Sequence, residues 1–193
     1  MQLFERRRCY FCRYCGSFHF LDTPESDGIR VLETPAQARL CPRCRSGLAT
    51  AELDGAHPVQ CCTACRGVLI PRSTFAHVVY TRRTWATSPP VAPSPLDRTE
   101  LERLFSCPSC SARMETHPYY GPGNVIIDSC GTCDLVWLDF GELKQIADAP
   151  GADRGLRKPA PRETSDTMMP AARSSLGYAP DRDGLDDLLD LFS

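Results

Sequence analysis

Cys107-Pro-Ser-Cys110 and Cys130-Gly-Thr-Cys133 form two CxxC pairs that are separated by 19 residues. The same arrangement occurs earlier in the chain, where Cys41-Pro-Arg-Cys44 and Cys62-Thr-Ala-Cys65 are separated by 17 residues. Four cysteines at this spacing are typical of a tetrahedral zinc site, in which two thiolate pairs hold one ion. The sequence therefore predicts two zinc ions. Because four cysteines leave no open coordination position, both sites are predicted to be structural, and no catalytic residue is assigned.

The composition favours several small metal-stabilised units over one large core. The 193 residues include 17 prolines and 13 glycines, which interrupt long periodic segments. Each quartet spans fewer than the roughly 40 residues below which chains usually need staples or metals to fold. Structural zinc supplies about 10–16 kcal/mol in zinc-finger peptides, which is enough for such units. We therefore predict a small metal-bound α+β fold of tandem zinc ribbons. Each ribbon has short antiparallel strands followed by a short helix, and a disordered tail follows the second ribbon.

Disulfides are the alternative use of the twelve cysteines, because twelve cysteines allow six bridges and small secreted domains are often built on disulfides. The N-terminus has a basic cluster at Arg6–Arg8 but no apolar run behind it, which argues against a signal peptide. No segment approaches the roughly 18 apolar residues of a membrane span. The CxxC pairs also suit a metal better than a disulfide framework. We therefore expect zinc, a cytoplasmic location and no membrane association.

Composition shifts along the chain indicate five segments. They are a partial N-terminal knuckle (1–36), the first ribbon with a short helix (37–85), a proline-rich linker (86–96), a short helix with the second ribbon (97–149), and a disordered tail (150–193). The tail ends in an acidic amphipathic stretch, Leu185-Asp-Asp-Leu-Leu-Asp-Leu-Phe192.

Local signals predict the main elements of the two ribbons. Asp54-Gly55 is expected to join two strands of the first ribbon, and Leu135–Leu138 is expected to be a strand of the second. A short helix over Phe75–Tyr80 would begin at a Ser73 or Thr74 cap. Capping boxes that start at Asp97 and Asp139 would open two further helices, the first running through Leu104 and Phe105.

Four cysteines lie outside the two quartets, and three of them are close together near the N-terminus. One interpretation is a compact site of Cys9, Cys12, Cys15 and His19, although consecutive tight turns make that geometry awkward. The other treats Cys12 and Cys15 as the second knuckle of a ribbon whose first knuckle is absent, through a start site placed too far downstream or a degenerate repeat. The second interpretation is favoured, and a third zinc ion stays an open alternative. Cys61, next to Cys62, is interpreted as a spare strand residue.

The run Cys130-Gly-Thr-Cys133-Asp-Leu-Val-Trp-Leu-Asp-Phe-Gly-Glu-Leu143 resembles the bacterial family of transcription-factor-IIB-type zinc-ribbon proteins, whose pattern is CPxC followed by CxxCxGxWLDxGEL. The resemblance covers residues 107–143 well and residues 41–75 more weakly. It implies a zinc-ribbon fold with the eight quartet cysteines as ligands, and it implies no particular activity. The chain departs from the pattern in two places: Leu135 replaces the glycine in the second ribbon, and Leu69-Ile70-Pro71 replaces Trp-Leu-Asp in the first.

Several conspicuous side chains have ordinary structural explanations. Trp137 is expected to pack over the zinc knuckle and against Leu143 rather than to bind a ligand. Asp139 and Glu142 have the spacing of a helix cap, which accounts for them without catalysis. Because each site already has four thiolates, the histidines are expected to be surface or packing residues.

Charge separates the candidate functions. The formal net charge of the whole chain is −2, but residues 1–85 carry a net +5 and residues 86–150 a net −5. This profile is not that of a general nucleic-acid binder. We therefore expect a non-catalytic module that binds an unknown protein partner as an adaptor or regulator, and no pattern indicates a small-molecule substrate.

Nucleic-acid binding is the alternative function, and a thiol redox switch is a less favoured one. Arginines of the N-terminal half would contact phosphates, with Tyr10, Phe11 and Tyr14 stacking on bases. These arginines are Arg6, Arg7, Arg8, Arg13, Arg39, Arg43, Arg45, Arg82 and Arg83.

Overall fold

The computed structural model describes residues 1–4, 9–15, 17–20, 27–33 and 36–157. The chain divides into two compact units, residues 1–159 and 160–193. The second unit lies outside the described residues, and with it the predicted disordered tail beyond residue 157 and the acidic stretch at its end. Within the described residues, no helix combines the length and the apolar character needed to cross a membrane.

A small three-stranded sheet opens the chain. Strands β1 (Gln2–Phe4), β2 (Cys9–Phe11) and β3 (Phe18–Phe20) pair antiparallel in sequence order. The Phe20 ring meets the Phe140 ring edge-on with 4.7 Å between centroids, and the Arg66 guanidinium lies 4.2 Å from the Phe20 centroid. Aromatic and cation–π contacts therefore attach this sheet to the two ribbons.

The first ribbon begins with short edge strands and a long hairpin. Strands β4 (Ile29–Val31) and β5 (Ala36–Leu40) pair with different parts of β6 (Gly47–Leu53), and β6 pairs with β7 (His57–Cys62). Asp54, Gly55 and Ala56 connect β6 to β7, and the first two have φ angles of 54° and 71°. Such left-handed angles are tolerated best by Gly, Asn and Asp, so the predicted Asp-Gly turn is confirmed.

A strand and a helix complete the first ribbon. Strand β8 (Val68–Pro71) leads directly into helix α1 (Arg72–Thr84). The predicted cap at Ser73 or Thr74 is wrong, because the helix starts earlier and no side chain caps it. Instead, the first backbone N–H, that of Arg72, donates to the carbonyl of Asp134 in the second ribbon at 2.9 Å.

The second ribbon repeats this order after a short 3-10 helix (Arg98–Glu102). Strands β9 (Glu115–Pro118), β10 (Ile126–Cys130) and β11 (Leu135–Leu138) precede helix α2 (Glu142–Asp148). Asp97 caps the 3-10 helix as predicted, accepting from the Thr99 N–H at 3.1 Å. The helix does not continue through Leu104 and Phe105, because the Phe105 carbonyl accepts from the Met114 N–H and the chain there is extended.

The two ribbons share one sheet. Strands β8 and β11 pair antiparallel, with Leu69 opposite Trp137. The resulting strand order is β4-β6-β7-β8-β11-β10-β9, with β5 beside β6. Leu69 and Trp137 each lie four residues after the last cysteine of their quartet, so equivalent positions face each other. The ribbons are therefore related by a pseudo-twofold axis at this pair.

Each face of the shared sheet has its own apolar cluster. On one face, side chains such as Ile70, Val136 and Ile146 pack among the sheet, α1 and α2. On the other face, Leu48, Leu69, Met114 and Trp137 pack with cysteines of both quartets. The metal sites and the largest aromatic side chain therefore occupy the face opposite the helices.

Residues beyond α2 pack against α1. Arg83, 1% exposed, donates to the Ile146 and Ala149 carbonyls at 2.7 and 2.9 Å and forms an ion pair with Asp153. The Gly155 N–H donates to the Arg83 carbonyl at 2.8 Å. A buried guanidinium needs acceptors on every side, and Asp153 supplies one from the segment that sequence composition assigned to the tail.

Candidate metal centres

The first quartet joins the knuckle before β6 to the knuckle after β7. The Sγ atoms of Cys41 and Cys65 are 3.5 Å apart, and those of Cys44 and Cys62 are 3.4 Å apart. All four sulfurs lie within 4.8 Å of one another. A tetrahedral zinc ion with bonds of about 2.3 Å places its sulfurs about 3.8 Å apart. The quartet therefore fits one zinc ion.

The second quartet has the same geometry and joins the knuckle before β9 to the knuckle between β10 and β11. The Sγ atoms of Cys110 and Cys130 are 3.6 Å apart, and the quartet with Cys107 and Cys133 also lies within 4.8 Å. The two sites differ in burial: three cysteines of the first are buried, whereas Cys110 is exposed and Cys133 half-buried in the second. Two four-cysteine sites thus fit two zinc ions, as the spacing predicts.

Backbone geometry shapes all four knuckles in the same way. The residue after each knuckle has a left-handed φ, between 53° and 63°. These residues are Arg45, Arg66, Ser111 and Asp134. Backbone N–H groups point at the sulfurs, as in the contacts Cys44 N to Cys41 Sγ at 3.5 Å and Cys65 N to Cys62 Sγ at 3.4 Å. Such donors stabilise thiolate charge and favour metal binding.

Thiol–thiol hydrogen bonds polarise the first quartet before a metal binds. The pKa of Cys62 lies far below its usual value, chiefly through the hydrogen bond with Cys41 and then through that with Cys65. The same hydrogen bond is the largest cause that raises the pKa of Cys41. Cys62 is therefore the preferred thiolate, and zinc must displace protons from its neighbours.

In the second quartet, too, one cysteine has a lowered pKa and another a raised pKa. Burial acts to raise the pKa of Cys130, but the Cys133 N–H and the Cys107 thiol bring it down to about 7. The pKa of Cys133 rises to about 12, chiefly through its hydrogen bond with Cys110. Here too one thiolate is preferred and the others bind protons that zinc must replace.

Acidification is expected to release zinc in two steps, the second site first. Protons compete with zinc for every thiolate, so affinity falls as pH falls, and the exposed Cys110 gives water and protons readier access. Native mass spectrometry at decreasing pH measures zinc per chain. A pulse of N-ethylmaleimide with peptide mapping identifies the freed cysteines. Release of the Cys41/Cys62 zinc before the Cys107/Cys130 zinc would contradict the expectation.

Trp137 lies between the two metal sites and is fully buried. It belongs to the cluster that contains cysteines of both quartets, which confirms the predicted packing over the knuckle. Leu143, the other predicted neighbour of Trp137, belongs to the other cluster, on the helix face of the sheet. A Cβ added to Gly67 would lie 2.2 Å from Cζ2 of the indole, so the glycine of the first ribbon makes room for the tryptophan of the second.

Asp139 has a different role from the predicted helix cap. Glu142 provides one half of the capping box, since its Oε2 accepts from the Asp139 N–H at 2.7 Å. The buried Asp139 carboxylate instead accepts from Trp137 Nε1 at 3.2 Å and forms ion pairs with Arg103, at 2.7 Å, and Arg43. Sequence reasoning missed these two partners of Asp139 because Arg103 and Arg43 lie 36 and 96 residues away from it.

The structure does not gather the N-terminal candidates into a third site. Among the described residues, the only groups of three or more metal-ligating side chains are the two quartets. Cys9 is buried on β2, His19 is exposed on β3, Cys12 is half-buried and Cys15 is exposed. These four residues therefore form no compact group.

The remaining cysteine and the other histidines also lie outside the metal groups. Cys61 is buried in the helix-side cluster, as expected for a spare strand residue, and burial raises its pKa to about 11. The His57 and His77 rings meet edge-on at 5.3 Å, and His117 Nε2 lies 3.0 Å from the Ser129 hydroxyl.

Comparison with known proteins supports the zinc-ribbon assignment for the second ribbon. Residues 106–149 match the family model described as "Transcription factor zinc-finger". No curated protein and no solved structure matches the chain. The first quartet has the same knuckle geometry as the matched segment. The two four-cysteine groups therefore fit two tandem zinc ribbons.

Proposed function

We propose that this zinc-ribbon chain is a non-catalytic adaptor or regulator that binds a protein partner along the outer edge of its shared sheet. The observation that carries the proposal is at β4. Among the described strands β4 has one neighbour, β6, so no other described strand pairs with its outer edge. Val31 and the adjacent Leu32 are 44% and 51% exposed. An exposed edge strand with apolar side chains is a template for an extended segment of another protein.

A pocket beside this edge supports the same proposal. It has a volume of about 90 Å³, and Ile29, Val31, Cys61 and Arg66 contribute to its lining. In β-strand addition, backbone hydrogen bonds supply affinity and pockets for alternate side chains supply specificity. The β4 edge and its pocket therefore offer both components, and an apolar side chain of the partner fits the pocket.

Ion pairing weakens the nucleic-acid alternative. Of the arginines expected to contact phosphates, Arg43, Arg82 and Arg83 form ion pairs with carboxylates. Arg83 is also buried. An arginine already neutralised by a carboxylate contributes little to phosphate binding. Arg6, Arg7 and Arg8 lie outside the described residues.

Two observations keep nucleic-acid binding as the second candidate. Tyr14 is fully exposed next to the exposed Arg13, an arrangement that suits stacking on a base. The matched family model is also described by a transcription term. This candidate requires saturable, salt-dependent binding to DNA or RNA.

Affinity capture from nuclease-treated lysate tests the proposal. The edge variant Val31→Asp/Leu32→Asp is compared with wild type and with Leu104→Asp, which changes a 68% exposed leucine on the other ribbon. We expect a discrete protein to be retained by wild type and Leu104→Asp and to be lost by the edge variant.

Fluorescence anisotropy with short single-stranded and duplex DNA and with RNA at low salt completes the test. We expect no saturable binding. Equal capture by the edge variant and wild type would refute the edge proposal. Saturable nucleic-acid binding that weakens with salt would replace it with the second candidate.

A further inference from the structure

The N-terminal sheet contains a CxxC turn between two antiparallel strands, the arrangement of a zinc knuckle. Strands β2 and β3 flank Cys12-Arg-Tyr-Cys15, with Phe11 opposite Phe18. The Cys12 N–H donates to the Ser17 carbonyl at 2.9 Å. A strand, a CxxC turn and an antiparallel return strand thus follow one another, as they do at the second knuckle of each ribbon.

The strands that flank this knuckle pair in the same register as those that flank the second knuckle of each metal quartet. In the first ribbon Cys61 lies opposite Val68 and the Cys62 N–H donates to the Gly67 carbonyl at 2.9 Å. In the second ribbon Ser129 lies opposite Val136. In all three cases the residue before the first cysteine pairs with the residue six positions after that cysteine. The Cys12/Cys15 turn is therefore shaped to present two sulfurs to one metal ion.

The described chain does not supply two more ligands for this knuckle. Every cysteine and histidine of the sequence lies among the described residues. Eight cysteines belong to the quartets, and Cys61 is buried in the core. Cys9 is buried at the far end of β2, three residues from Cys12, which is about 10 Å along a strand. Zinc requires about four ligands, so two sulfurs form only half of a site.

We propose that Cys12 and Cys15 of two copies of this chain bind one zinc ion between them. Both metal sites within the chain consist of two facing knuckles, and a twofold axis between two copies of the N-terminal knuckle reproduces that arrangement. A twofold interface is self-complementary, so one half-site suffices. The four thiols each release a proton to solvent as Zn²⁺ binds, and no electrons are transferred.

Exposure and charge at the N-terminal knuckle suit a zinc site shared by two copies of the chain. Cys15 is exposed and Cys12 is half-buried, so neither residue lies in the core of the chain. Tyr14 between them is fully exposed and provides apolar surface for the contact. Arg13 is exposed and offsets part of the net charge of about −2 that four thiolates and one zinc ion carry.

Zinc content and molar mass measured on the full chain test the proposal. With zinc in excess and then removed by gel filtration, we expect a dimer with about 2.5 zinc ions per chain, since each shared ion counts as half. The variant Cys12→Ser/Cys15→Ser is expected to be a monomer with two zinc ions per chain. His19→Ala serves as the matched control and is expected to keep both the dimer and the shared ion. Mixing ¹⁵N-labelled and unlabelled chains should give a mixed dimer with five zinc ions in native mass spectrometry.

Four results would overturn the proposal. A monomer with three zinc ions per chain would indicate a complete site within one chain, as would loss of the third ion in His19→Ala. Two zinc ions per wild-type chain would show that the knuckle binds none. A dimer that persists in Cys12→Ser/Cys15→Ser would show that zinc does not hold the copies together. None of these results bears on the β4 edge, so the two proposals fail independently.

Discussion

Replacement of one ligand of the first quartet, in Cys41→Ser, is expected to unfold both ribbons and not the first alone. Structural zinc supplies about 10–16 kcal/mol in zinc-finger peptides. The net stability of a domain is only about 5–15 kcal/mol, so loss of one site removes most or all of it. We expect no cooperative thermal transition in this variant.

The coupling between the ribbons arises from their shared sheet. Strand β8 of the first ribbon pairs with β11 of the second, and the Arg72 N–H at the start of α1 donates to Asp134. Unfolding of the first ribbon therefore removes the neighbour of β11 and exposes Trp137. A ligand mutation 96 residues away from Trp137 along the chain thus reaches the core of the second ribbon.

Tryptophan fluorescence measures this coupling. The chain has two tryptophans, so a Trp85→Phe background leaves Trp137 as the reporter. We expect blue-shifted emission in the background protein and red-shifted emission after Cys41→Ser. Cys61→Ala, which changes a buried cysteine outside both quartets, should keep the blue-shifted emission. If Cys41→Ser retained one zinc ion and a buried Trp137, the ribbons would fold independently and the coupling would be wrong.

Substitution of Gly67 by alanine is expected to cost about 3 kcal/mol of unfolding free energy, at the upper end of ordinary overpacking. The added Cβ would lie 2.2 Å from Cζ2 and 2.7 Å from Cη2 of Trp137. The indole is fully buried between the metal sites and cannot move aside without displacing cysteines of its cluster. Urea denaturation of the zinc-loaded protein measures the change.

Gly131→Ala is the matched control for Gly67→Ala. Gly131 directly follows Cys130, as Gly67 follows Cys65 at two residues' distance, but a Cβ at Gly131 meets no atom within 4 Å. Its replacement is expected to change stability by less than about 0.5 kcal/mol. Equal stability of the two alanine variants would show that the indole does not require the glycine.

A compensating variant tests the pairing more directly. The positions equivalent to Gly67 and Trp137 in the other ribbon are Leu135 and Leu69, which lie in the same cluster. Gly67→Leu/Trp137→Leu therefore repeats a combination that the chain already accommodates. We expect the double variant to be more stable than Gly67→Leu alone, because contacting residues are not additive. Additive losses in the double variant would count against the pairing.

This arrangement explains Leu135 and Leu69, two of the positions at which the chain departs from the family pattern. The resembled pattern has a glycine and a tryptophan within one ribbon, whereas this chain has Gly67 in the first ribbon and Trp137 in the second. The shared sheet brings these two together across the pseudo-twofold axis. Leu135 replaces a glycine at the position that faces no tryptophan. The two substitutions are therefore complementary.

The sequence by itself determined the metal sites, the Asp54-Gly55 turn and the strand at Leu135–Leu138. Each depends on short-range spacing: a CxxC turn orients two sulfurs locally, and an Asp-Gly pair adopts left-handed φ angles with little help from distant residues. Only the tertiary structure decided the pairing of β8 with β11, the arginine partners of Asp139 and the start of α1 at Arg72. Those features depend on contacts between residues far apart in the chain, whose joint burial, rather than local propensity, selects them.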